Sequence, residues 1–329
     1  MKLDARDPLF KVVGYVLCIV PSFFAFGGVY ARLLNLASNL ESQFEVGAYP
    51  LAMLLFLLLW LFIFNYDFLW FEIVHSRSVA EERLQAVPFA SLLACSFILF
   101  AVNSYLGNVY VDMLVLLFYW VAFAFLFSDL AGRHLTAYLV IYSVTGSLQY
   151  VLSAFFDFQI SLAWTRFLAF ALSPVFGGVS YFVMWPDDTP MVMLYAVRER
   201  PLWIVAGCTG LPAVSVFLML AGLIAYDLKV PLKRLFTSVV GGVLAILALN
   251  AFRLAFLLFV TLVVDEPGFW GSAVRDFAGT VNQAYLALGI GGYDLSSWVG
   301  YVELYHSFLG YALFSTFYVV YAWLMTRRK

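Results

Sequence analysis

Three residues of this chain combine a reactive type with a setting in which reactivity would be useful. Cys208 stands among Gly207, Thr209 and Gly210, directly before an apolar run that starts Leu211, Pro212. The small neighbours let a peptide backbone approach the thiol closely, and Pro212 suits the first turn of a helix. The orphan N–H groups and dipole at a helix start favour the nucleophilic thiolate. Arg253 lies in an apolar segment with no acid in the same run. An arginine inside a membrane is costly and marks function by default. Asn250, three residues earlier, shares its helical face, so the two would present donors to an oxyanion or to substrate carbonyls. Two structural roles compete for Arg253: snorkelling to the interface, or pairing with a carboxylate such as Asp112. His306 heads the last apolar run. Glu303, on the same face, would orient it and raise its basicity. A cysteine with a histidine base is an activated nucleophile. Cys18 and Cys95, both mid-span, read as small buried hydrophobes, and His75 and His134 have no comparable partners.

The elements that must hold these residues are membrane helices. Of 329 residues, 64% are hydrophobic and 12% charged, against roughly half and a quarter in an average globular chain. The expectation is an all-α polytopic membrane protein, one integral membrane domain over 1–329 with about eight transmembrane helices. A span takes about 20 mostly apolar residues, which places the spans at 10–33, 50–74, 87–106, 109–128, 135–156, 211–228, 235–263 and 304–326. A further stretch, 160–182, is interrupted by Arg166, Pro174, Gly177 and Gly178. Basic residues concentrate on cytoplasmic loops. That bias survives only if 160–182 does not cross, which puts both termini inside and makes 160–182 an interfacial or re-entrant segment. The first apolar run, after Lys2, Arg6 and Lys11, reads as a retained span rather than a signal peptide.

Two outer segments follow from that topology. In 157–207, the apolar runs 181–185 and 191–197 flank Pro186, Asp187, Asp188, Thr189 and Pro190, which predicts a small hairpin delivering the chain to Cys208. In 264–303, residues 271–290 predict an amphipathic surface helix. At roughly 1.5 Å per residue, Cys208 lies about 31 Å from Lys229, Arg253 about 28 Å from Arg234, and His306 about 31 Å from Arg327. A hydrocarbon core is about 30 Å thick. The three residues therefore share one depth, at the outer boundary, on the last three spans.

Other chemistries find little support. Three scattered cysteines make neither a disulfide framework nor a thiolate metal site. Zinc-protease, lipase-elbow and phosphate-loop motifs are absent from the sequence, so neither cofactor nor metal is expected. A net charge of −2 gives no case for nucleic acid. Asp67, Glu72 and Asp112 are intramembrane acids that would suit an ion path. A transporter and a non-catalytic envelope assembly factor are thus the competing functions.

The pattern resembles the exosortase/archaeosortase superfamily. The matching residues are Cys208 with Thr209 and Gly210, Asn250 with Arg253, and His306, within roughly 160–326. The resemblance implies a membrane cysteine peptidase and transpeptidase on the extracytoplasmic face of the cell membrane. Its substrates would be secreted proteins ending in a short motif such as PEP or PGF, one transmembrane helix and a basic tail. Cys208 would form a thioester with the substrate. Arg253 would stabilise the oxyanion or position the thiolate, and His306 would act as general acid and base. The acyl group would pass to an acceptor, a membrane lipid.

Overall fold

Runs of leucine, phenylalanine and valine too long for a soluble core become helices here, and turns fall where glycine or a polar pair breaks the run. The computed structural model describes residues 8–38, 48–75, 86–186, 190–196, 199–287 and 292–327. In chain order the helices are α1 (Pro8–Ala25), α2 (Gly27–Ser38), α3 (Ala48–His75), α4 (Ala86–Leu106), α5 (Val109–Ala124) and α6 (Asp129–Phe176). Strands β1 (Ser180–Met184), β2 (Met191–Tyr195) and β3 (Leu202–Ile204) come next, then a 3₁₀ turn, Ala206–Thr209. The chain closes with α7 (Leu211–Leu228), α8 (Leu232–Val263), α9 (Phe269–Ala287) and α10 (Trp298–Thr326). This is an all-α polytopic membrane protein with one small sheet. Among the described residues, six helices are long and apolar enough to cross a membrane, or seven if the bent pair α1–α2 is one span.

All eight expected spans fall on helices, with three changes. The run 10–33 is not one rod: α1 and α2 meet at 84° around Phe26. The run 109–128 is the shorter α5, of 16 residues. The runs 135–156 and 160–182 are joined in a single 48-residue helix, α6, kinked at Phe156 (φ −131, ψ 16). Arg166 does not interrupt it, since its Nε donates outward to the Tyr181 hydroxyl at 3.2 Å. The break comes only at Gly177 and Gly178, with φ of 71° and 130°, backbone that favours glycine.

The chain forms two compact units, Met1–Ser147 and Leu148–Lys329, and α6 runs through the boundary. In the first unit a buried polar cluster ties α2, α4 and α5. Arg32 grips Asp112 with two bonds, Nε to Oδ2 at 2.7 Å and Nη2 to Oδ1 at 2.6 Å. Asn103 Nδ2 donates to the same carboxylate at 2.6 Å. Asn108 caps α5 by accepting from the Tyr110 and Val111 N–H groups. The intramembrane acid Asp112 is therefore neutralised where it sits. His134 does have partners, contrary to expectation: its Nε2 lies 3.1 Å from both Asn65 Oδ1 and the Tyr138 hydroxyl. The side chain of His75 lies outside the described residues. Cys95 is exposed on α4 and Cys18 half-buried on α1, so neither is the fully buried hydrophobe expected of it.

In the second unit α7, α8 and α10 pack together. Gly242 on α8 leaves no room for a side chain, since a Cβ there would overlap the Phe217 ring of α7. Tyr318 on α10 donates to the Ala213 carbonyl of α7 at 2.8 Å, and Ser238 on α8 meets Tyr321 at 3.2 Å. The expected surface helix is α9. Its buried positions Gly271, Val274, Ala278 and Val281 recur every three or four residues, which lays one stripe on a neighbour. Tyr305 of α10 bonds the Val274 carbonyl at 2.7 Å. Arg275 Nη1 caps the end of α8 through the Val264 carbonyl at 2.5 Å. The predicted hairpin exists as β1 and β2, although its turn residues 187–189 lie outside the described residues. The structure adds a third strand, in the order β1-β2-β3 with both pairings antiparallel. On its covered face Val192 is buried, and Leu194, Leu202 and Ile204 join a core with Leu168 of α6, Leu254, Leu257 and Leu258 of α8, and Leu304 and Tyr305 of α10.

Candidate active site

Cys208 sits in the 3₁₀ turn between β3 and α7, rather than on the first turn of α7 itself. The turn closes through the Cys208 N–H to the Val205 carbonyl at 2.8 Å and the Thr209 hydroxyl to the Ala206 carbonyl at 2.7 Å. Gly210 then reverses the chain into α7 at φ 87, ψ 4. Only glycine adopts that conformation cheaply. A Cβ at Gly210 would also lie 3.3 Å from Cβ and Cγ of Asn250. Thr209 and Gly210 thus shape the turn.

The thiol and the imidazole meet. Cys208 Sγ lies 4.0 Å from His306 Nε2, and 3.9 Å from the Trp203 carbonyl oxygen. The first distance suits an S–H···N contact. The half-buried His306 projects from α10 toward the turn. Glu303 does not orient it. Its side chain is exposed and, among the described residues, makes no hydrogen bond or ion pair to the imidazole.

Asn250 and Arg253 share one face of α8, as expected, but divide their work. Asn250 is fully buried, and its Nδ2 donates to the Cys208 carbonyl at 2.8 Å. It holds the nucleophile's backbone rather than offering that amide to a substrate. Its Oδ1 is buried without a partner. Arg253 is 2% exposed. Its guanidinium lies over the Phe314 ring, 5.7 Å from the centroid. Among the described residues no carboxylate pairs with it, and its Nε is buried without a hydrogen bond. Asp112, the expected structural partner, belongs to Arg32. Snorkelling is excluded by the burial. Gly310, one turn beyond His306, makes room for the guanidinium: a Cβ there would sit 3.1 Å from Nη1. A buried cation without an anion is expensive, and an arginine held this way inside a membrane helix is a candidate functional residue.

No family model, curated protein or solved structure matches the chain. The arrangement stands on its own geometry: a thiol on the turn before α7, an imidazole on α10 and, on α8, an arginine that no carboxylate among the described residues pairs.

Sequence reasoning missed the residue that ties the turn to a fourth element. Asp157 follows the kink of α6, and its Oδ1 accepts the Ala206 N–H at 2.9 Å. The signal was an acid directly after the apolar pair Phe155 and Phe156 and before Phe158. Gly310 and Trp203 were also missed. Gly310 was visible only as a glycine four residues after His306. Among the described residues no group of His, Cys, Asp and Glu is gathered as metal ligands would be.

Proposed function

We propose that the protein is a membrane cysteine transpeptidase of the kind its sequence resembles. One observation carries this reading: Cys208 Sγ stands 4.0 Å from His306 Nε2 beside a buried arginine with no anion among the described residues. His306 takes the thiol proton as Sγ attacks a substrate peptide carbonyl, and the oxyanion is met by Arg253. The C–N bond breaks, and the leaving amine takes the proton from His306. An acceptor hydroxyl or amine then gives its proton to His306 and attacks the thioester. Breakage of C–S returns the thiolate, which His306 reprotonates. Burial at the membrane boundary limits water and favours transfer over hydrolysis.

The basic residues support a cell-membrane location with both termini cytoplasmic and Cys208 on the outer side. The substrates of this reading are secreted proteins ending in a short motif, a transmembrane helix and a basic tail, and the acceptor is a membrane lipid. The neutralised Asp112 removes one station from the competing ion-path reading. Cys208→Ala is expected to abolish processing of such a protein, co-expressed as a reporter, while insertion and thermal unfolding stay normal. Full processing by Cys208→Ala would falsify the proposal. Alkylation by a membrane-impermeant reagent separates the enzyme from an assembly factor, because only the enzyme needs a reactive outer thiol.

A further inference from the structure

β3 is an edge strand. It has β2 on one side only, so its other side offers main-chain groups to whatever lies there. The orientation of that edge follows from one contact. The Trp203 carbonyl oxygen is 3.9 Å from Cys208 Sγ, so it points toward the nucleophile. Carbonyls alternate along a strand, and in an antiparallel ladder a residue's N–H and C=O share a side. Trp203 therefore turns both groups to the open edge, while Leu202 and Ile204, opposite Leu194 and Val192, turn theirs to β2.

We propose that the substrate binds as a fourth strand on this edge, through the extended segment that precedes its transmembrane helix. This rests on the transpeptidase reading and names how the peptide reaches the thiol. Paired strands lie about 4.8 Å apart. A peptide bonded to the Trp203 N–H and C=O therefore passes alongside Sγ. Its N–H replaces the weak S–H···O contact at Trp203, which frees the thiol to turn to His306. Peptide binding and nucleophile activation become one event. The side chains agree with an apolar guest. In register across the sheet, Phe182, Met193 and Trp203 form a ladder on the face opposite the core. Trp203, at 55% exposure, ends that ladder at the open edge. Main-chain pairing supplies affinity in such β-addition, and alternate side chains supply selectivity.

The test uses the purified full-length chain in detergent and a synthetic peptide covering the motif of a processed reporter. Each amide of the peptide is N-methylated in turn. Strand pairing predicts that cleavage falls about five- to tenfold at every second position and little between them, the worth of one hydrogen bond. Sensitivity without alternation, or confined to the scissile amide, overturns the strand model and leaves the transpeptidase reading intact. Failure to cleave the unmodified peptide removes both. A photoreactive phenylalanine at Trp203 checks the occupant. Linkage to the peptide supports the proposal. Linkage to a second copy that persists under saturating peptide rejects it, because the edge then serves as a contact between protomers.

Discussion

Residue by residue, the site is built from contacts that fix the backbone around the thiol. Asn250 holds the Cys208 carbonyl and Asp157 holds the Ala206 N–H, so the 3₁₀ turn is pinned on both sides of the thiol. Arg253 keeps a buried Nε without a partner. Gly210 carries two duties at once, the left-handed backbone and the close approach to Asn250. Gly210→Ala is therefore expected to cost about 1–2 kcal/mol from backbone strain, and to displace the Asn250 amide as well. Processing should fall at least about tenfold, equivalent to about 1.4 kcal/mol. Gly210→Asn separates the duties, because asparagine tolerates the left-handed region but still crowds Asn250. It should recover thermal stability and not activity. Wild-type processing rates in both variants would show that the turn does not position Cys208.

At the scale of elements, the three site helices are held in register by small residues against large ones. Gly242 lets the Phe217 ring lie against the α8 backbone, and that ring stands edge-on to Tyr321 of α10, 4.7 Å between centroids. Gly242→Ala should destabilise by about 1–3 kcal/mol through overpacking. Phe217→Leu should restore part of that loss, so a double-mutant cycle read by thermal unfolding should give a coupling of about 1 kcal/mol or more. Strictly additive effects would mean that the two positions do not meet. The arrangement also explains why hydropathy saw helices and missed contacts. A run such as 135–182 is apolar whether it bends, stops or continues, and only the φ of Gly177 and Gly178 ends α6. β3, three residues of apolar chain after Pro201, is too short for any alternation to register. It exists because β2 offers it an edge.

For the whole molecule, the site belongs to one unit and the polar cluster around Asp112 to the other. The Asp112 side chain is wholly buried, while Arg32 is 40% exposed. Arg32→Ala leaves a buried carboxylate with Asn103 alone, and is expected to destabilise by about 3–5 kcal/mol. Arg32→Ala with Asp112→Leu should be much milder, since no charge remains buried. Equal loss of folded protein in the single and double variants would contradict the ion-pair account. Arg32 is thus a packing element. Its role was hidden because its partner lies 80 residues away in sequence.

From sequence alone one obtains the membrane character and the places of the helices, and the expectation that Cys208, Arg253 and His306 share one depth. Hydropathy is a property of segments, and helix rise converts position into height. Which way each side chain turns is not contained in either quantity. Rotation about a helix axis is decided by packing between helices, so only the tertiary structure brings Cys208 to His306, gives Asn250 to the Cys208 carbonyl, leaves Glu303 facing outward and sends Asp157 to the turn. The open edge of β3 beside the thiol belongs to the same class of fact. A strand's free edge is defined by the neighbour it lacks.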